Sequence, residues 1–179
     1  MNSVSPGTKR DAAVAVEAAG GRYVDVAVMA PVDAALAVPL LISGPHAADV
    51  EPLLAALGFS NIRIVGGEIG MASAIKMIRS VMVKGIEALS EECASAAEAA
   101  GVFDEVMASL DASEKKAGWA ERIAYNRERM HLHGLRRAAE MEESARTLEG
   151  LGIDPVMTRA TVERQRRAAT PKDRGNKAA

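Results

Sequence analysis

Apolar residues recur along this chain with two different periods, and the change of period divides it. Up to about residue 67 the runs are short and alternating. In "RYVDVAVMA", Val24, Val26 and Val28 fall on one face of an expected strand, and "VPLLIS" and "NIRIV" read as two more. Between these two, "AADVEPLLAALG" is an amphipathic helix stopped by Gly58, and residues 9–19 are a short helix ended by Gly20 and Gly21. From Gly70 a spacing of three and four takes over and runs almost to the end. One helix is expected over residues 70–100, roughly 45 Å long at the usual rise per residue. Met71, Ile75, Ile78, Met82, Ile86 and Leu89 make its continuous buried face, beside a polar stripe of Ser73, Lys76, Ser80, Lys84 and Glu87. Shorter helices are expected over residues 103–110, 113–133, 135–151 and 155–168, punctuated by Gly101, Gly134 and Gly152. Asp154 is the expected cap of the last, with Pro155 in its first turn.

The predicted fold is therefore mainly α, with a small N-terminal α/β piece, a long central helix and a helical domain behind it. Residues 1–67 form the incomplete α/β part, 68–168 the helical domain and 169–179 a basic, frayed tail. There is no internal repeat. Hydrophobic residues make up 49% of the chain but include only two Phe, two Tyr and one Trp, so Ala, Val, Leu, Ile and Met must fill the core, a mix that leans helical. A net charge of -2 supplies no positive field for nucleic acid or an anionic membrane, and neither partner is expected. The single cysteine, Cys93, excludes an intrachain disulfide and reads as a small core residue. The N-terminus lacks the apolar run of a signal peptide, and "AALAVPLLIS" is short and holds Pro39, so a soluble cytoplasmic protein is expected.

Candidate chemistry concentrates in "VGGEIGMASAIKMIRS". A strand, glycines and a helix start invite a dinucleotide cradle, but a G-x-G-x-x-G ending at Gly70 needs glycine at 65, where the chain has Val65. Gly70 is left as a weak cofactor contact. On the polar stripe, Lys76 and Ser80 point the same way, four residues apart. A lysine at the edge of an apolar surface can pass a proton near neutral pH, and a hydroxyl one turn away can hold a substrate oxygen; the alternative is an ordinary solvated stripe. His131 and His133, two apart on a helix, face about 200° from one another, so no metal site is expected. Arg136 and Arg137, with Glu140 and Glu143 near by, read either as a solvated network or as a fork for an acidic group. Trp119 and Tyr125 read as core or interface anchors.

"NSVSPGTKRDAAVAVEAAGGRYVDVAVMAPV", "VPLLISG" and "GGEIGMASAIKMIRSVMVKGIEAL" together resemble the second half of the hydroxyacid dehydrogenases related to 3-hydroxyisobutyrate and 6-phosphogluconate dehydrogenase. With "RRAAEMEE" and "PVMTRATVERQRR", the chain is similar more narrowly to the phosphogluconate-dehydrogenase-like oxidoreductases, over residues 2–167. The resemblance implies an NAD or NADP cofactor without a metal, a Rossmann domain, a long linking helix and a helical domain that forms a homodimer. It implies a small-molecule substrate of the hydroxyacid type and makes Lys76, six after Gly70, the general acid/base. Ser80 stands where the family has a substrate-holding asparagine. It places Asp25, Met29 and Ala30 in the substrate loop, although Met29, Ala30 and Pro31 replace the family's Ser-Gly-Gly, and Arg136 in the cleft by its position in the C-terminal part. Arg79 and Val83 replace the histidine and glutamate that serve decarboxylation in phosphogluconate dehydrogenase itself, which argues against that substrate.

No strand-plus-glycine module precedes Asn2, so the chain is expected to be the C-terminal portion of such an enzyme, inactive without a Rossmann partner on a separate or longer chain. The alternative is a non-catalytic helical dimerisation module left by gene truncation.

Overall fold

Ser5 accepts a hydrogen bond from the Thr8 amide at 3.2 Å, and Pro6 pre-sets the first turn, so helix α1 (Pro6–Ala18) begins three residues before the apolar spacing suggests. The computed structural model describes residues 3–30, 36–114 and 116–169, and the basic tail expected beyond Ala169 lies outside them. Contacts gather the chain into two units, Met1–Gly85 and Ile86–Ala179.

The first unit holds a three-stranded mixed sheet in the order β1-β2-β3, from strands β1 (Asp25–Val28), β2 (Leu40–Ser43) and β3 (Ile62–Gly66). β1 runs antiparallel to β2, with Asp25 opposite Ser43 and Val26 opposite Ile42; β3 runs parallel to β2 with an irregularity at Ile42/Ser43. The period of two decides what each face does. Val24, Val26 and Val28 join Leu40, Ile42, Ala47 and Leu54 in the main core, to which helix α2 (Ala47–Ala56) contributes. Ala27 and Leu41 point the other way, onto Ala72 at the start of the long helix α3 (Met71–Ala99), with Met29 and Val65 against them. Gly70, at φ +99°, turns the chain into that helix; a Cβ there would stand 3.0 Å from Pro6 Cβ.

In the second unit, helices α4 (Phe103–Ser113), α5 (Trp119–Gly150) and α6 (Val156–Ala169) follow. Two expectations fail here for physical reasons. Gly134 does not end a helix: α5 runs through it for 32 residues, because α6 lies so close that a Cβ on Gly134 would meet the Gln165 carbonyl oxygen at 2.4 Å. The glycine is a packing device, continued by Ala138 and Ala145 on α5 and answered by Thr158, Val162 and Gln165 on α6, all buried. Asp154 does not cap α6 either. Its carboxylate receives Arg159 at 2.8 Å, and the cap comes from Glu92 on α3.

A third expectation fails along α3. In the stripe expected to be buried, Ile78 is 73% exposed, and Met71, Ile75, Met82, Ile86 and Leu89 are exposed too, as is neighbouring Val81 at 76%. Trp119 and Tyr125 are exposed rather than core. No helix of the described residues is long and apolar enough to cross a membrane.

Candidate functional site at the start of the long helix

Asp25 interrupts a run of valines and alanines, and the pleat aims it at α3. Its carboxylate is fully buried and accepts the Ser73 amide at 2.8 Å and the Ser73 hydroxyl at 2.7 Å. The residue opposite it in the sheet, Ser43, accepts the Ala72 amide on Oγ at 3.0 Å. One cross-strand pair thus satisfies two of the amides that a helix leaves unpaired at its start. Lys9 of α1, itself buried, puts Nζ 3.4 Å from Asp25 and balances the charge. Burial, followed by the Asp25 charge, raises the pKa of Tyr23 near by.

This cap fixes the section of α3 that carries the predicted site. Along the polar stripe, Ser73 is buried, Lys76 and Ser80 are half-buried, and Lys84 and Glu87 are exposed. Lys76 has no ion-pair partner among the described residues, and Ser80 Oγ donates back to the Lys76 carbonyl at 2.9 Å. The Ser80 oxygen keeps its lone pairs for a further donor. Met29 is half-buried beside Ala27 and Leu41, Ala30 is exposed, and Pro31 lies outside the described residues. All the Asp25 contacts are internal. Arg136 belongs to the second unit, exposed on α5 and paired with Glu140.

Gly70 and the helix start do not form a pyrophosphate cradle. Pro6 and Arg10 cover Gly70, and the Ala72 and Ser73 amides are already taken, one of them by a carboxylate that would repel phosphate.

The second unit repeats the capping device. Buried Glu92 accepts the Met157 amide at 2.6 Å, the Thr158 amide at 2.8 Å and the Thr158 hydroxyl at 2.6 Å. Burial pushes its carboxyl up, but the Thr158 hydroxyl, the two amides and the Arg159 charge outweigh it and hold the pKa below the usual carboxylate value. Half-buried Cys93 lines an apolar groove of about 350 Å³ with Leu89, Ala97, Val106 and Leu148. Lys9, Ser43 and Glu92 carry no local motif and were not singled out from sequence; an acid inside a valine run was the only signal for Asp25 as an inward-facing group.

Residues 97–168 match the family model described as domain of unknown function DUF1932. A conserved hypothetical protein from Sinorhizobium meliloti 1021 is 42% identical over 98% of this chain and 59% of its own, with a TM-score of 0.55. The conserved protein MTH1747, whose structure is described as similar to 3-hydroxyacid dehydrogenases, is 31% identical over 94% of this chain and 63% of its own, with a TM-score of 0.54. This chain shares its fold with these two proteins. The same fold occurs in an imine reductase from Myxococcus stipitatus in complex with NADP+, 21% identical over 93% of this chain and 64% of its own, with a TM-score of 0.69. The chain spans about three-fifths of the length of the proteins it matches.

Proposed function

We propose that this chain is the substrate-facing and dimerising part of an NAD(P)-dependent oxidoreductase acting on a hydroxyacid-type substrate. Lys76 gives or takes the proton at the substrate oxygen, and Ser80 contacts the substrate. The observation that carries this reading is the pair Lys76 and Ser80, one turn apart on a helix whose start is pinned by Asp25 and Ser43, with no acid neutralising Lys76 among the described residues. Because the helix start does not suit a pyrophosphate, the cofactor is held by a Rossmann domain outside these 179 residues. The exposed Ile78 and Val81 support a second copy of this chain as the partner along α3.

The test is to co-express the chain with the part of the Sinorhizobium meliloti relative that it does not cover, and to follow nicotinamide absorbance with a panel of hydroxyacids. Lys76→Ala should slow turnover by about two to four orders of magnitude. An unchanged rate removes Lys76 from the mechanism, and no turnover with any substrate leaves the non-catalytic dimerisation module as the reading.

A further inference from the structure

Most arginines on α5 and α6 answer an acid. Arg136, Arg146, Arg159, Arg166 and Arg167 each face a glutamate, Arg159 an aspartate as well. Arg129 and Arg137 are the half-buried exceptions: neither has a carboxylate within ion-pair distance among the described residues, and the Nε of each is buried without a hydrogen-bond acceptor. Both line a cavity of about 240 Å³ in the second unit, with Tyr125, Asn126, Met130 and Gln165. Gln165 is only 6% exposed, and its Oε1 is buried without a donor. It stands there because Gly134, three residues before Arg137, lets α6 come up against α5. Arg129 is held in place by donating Nη1 to the Tyr125 hydroxyl at 2.8 Å, its guanidinium 5.5 Å from the ring centre.

Two buried donors on cations and one buried acceptor, on three residues that line one small cavity, are costly for a protein to leave unmatched. Two guanidinium donors ask for an oxyanion; the amide oxygen asks for a hydroxyl on the same molecule. We propose that this cavity binds a small oxyanion that also carries a hydroxyl, either hydrogen phosphate or a short hydroxycarboxylate. The anion lies between Arg129 and Arg137, and its hydroxyl donates to Gln165. The site is made within the second unit and does not depend on the cofactor or on Lys76.

The experiment is a thermal-melt and calorimetric titration of the full chain at neutral pH and constant ionic strength. Inorganic phosphate, glycolate and acetate are the probes, with chloride as the screening control. A saturable rise in Tm with phosphate or with glycolate, stronger than with acetate, is the expected result, and whichever of the two acts identifies the ligand class. Arg137→Gln and Arg129→Gln should each weaken binding by about tenfold or more, as for loss of a charge-assisted hydrogen bond, and Arg136→Gln should leave it unchanged. If either glutamine variant fails to melt cooperatively, the corresponding lysine variant replaces it; it keeps the charge, loses the Nε donor and should still weaken binding. Absence of a saturable shift with both phosphate and glycolate, or equal binding by the Arg137 variants, overturns the proposal.

Discussion

Asp25 and Ser73 are joined twice, through the backbone amide and through the hydroxyl, and Glu92 treats Thr158 in the same way. In both units a buried carboxylate from a distant element starts a helix, in place of the local side chain that ordinarily does so. The two devices differ in their charge balance: Asp25 has buried Lys9, whereas Glu92 has amides, a hydroxyl and the nearby charge of exposed Arg159.

Breaking the first device should be costly because a charge is stranded. Asp25→Ala leaves Lys9 buried and unpaired, and is expected to lower unfolding free energy by about 3–5 kcal/mol, read as a drop in the urea midpoint. Adding Lys9→Met should restore part of that loss. Strictly additive losses would mean that the two residues do not interact.

The second device should respond to acid. The folded-state pKa of Glu92 is lowered from its ordinary value of 4.5, so its contribution is complete above that value and disappears as pH falls through the folded one. Urea midpoints of the native chain should therefore fall between pH 6 and pH 3, and Glu92→Gln, already weaker at pH 6, should fall less. Parallel curves for the two proteins would contradict this assignment.

Two glycine-to-alanine changes should have opposite signs. Gly134→Ala drives a methyl into the Gln165 carbonyl and is expected to cost about 1–3 kcal/mol despite alanine's better helix propensity. Gly85→Ala, inside α3 with nothing within 4 Å of the added methyl, should gain up to about 1 kcal/mol. Chemical denaturation of the two variants side by side measures both.

The exposed stripe on α3 should be covered in solution. Light scattering at micromolar concentration is expected to give twice the mass of one chain, and Ile78→Glu with Val81→Glu should return it to the monomer mass. A monomeric native chain would remove the dimer from the proposed function.

Elements governed by local pattern are legible in the sequence. Val24, Val26 and Val28 face the core as their alternation implies, and α3 runs from Met71 to Ala99 against an expectation of 70–100. Where the pattern failed, a neighbour distant in sequence had the decisive role. Gly134 looks like a stop signal unless α6 is known to press on it, and Asp154 looks like a cap unless Glu92 is known to stand there. The three-and-four spacing identifies an apolar stripe on α3 but cannot say whether this chain covers it. Of the neighbouring pair at 136 and 137, Arg136 is the exposed, paired member and Arg137 the one that faces a cavity, a distinction of one residue that helical phase alone did not fix.

The caps also set an order of events in folding. Asp25 lies 48 residues from Ser73, and Glu92 66 residues from Thr158. The first turns of α3 and α6 therefore wait on long loop closures, although helices themselves nucleate locally. Deuterium uptake at the Ser73 and Thr158 amides should consequently follow the opening of each whole unit, making two helix ends, where fraying is the rule, the slowest clocks in the chain.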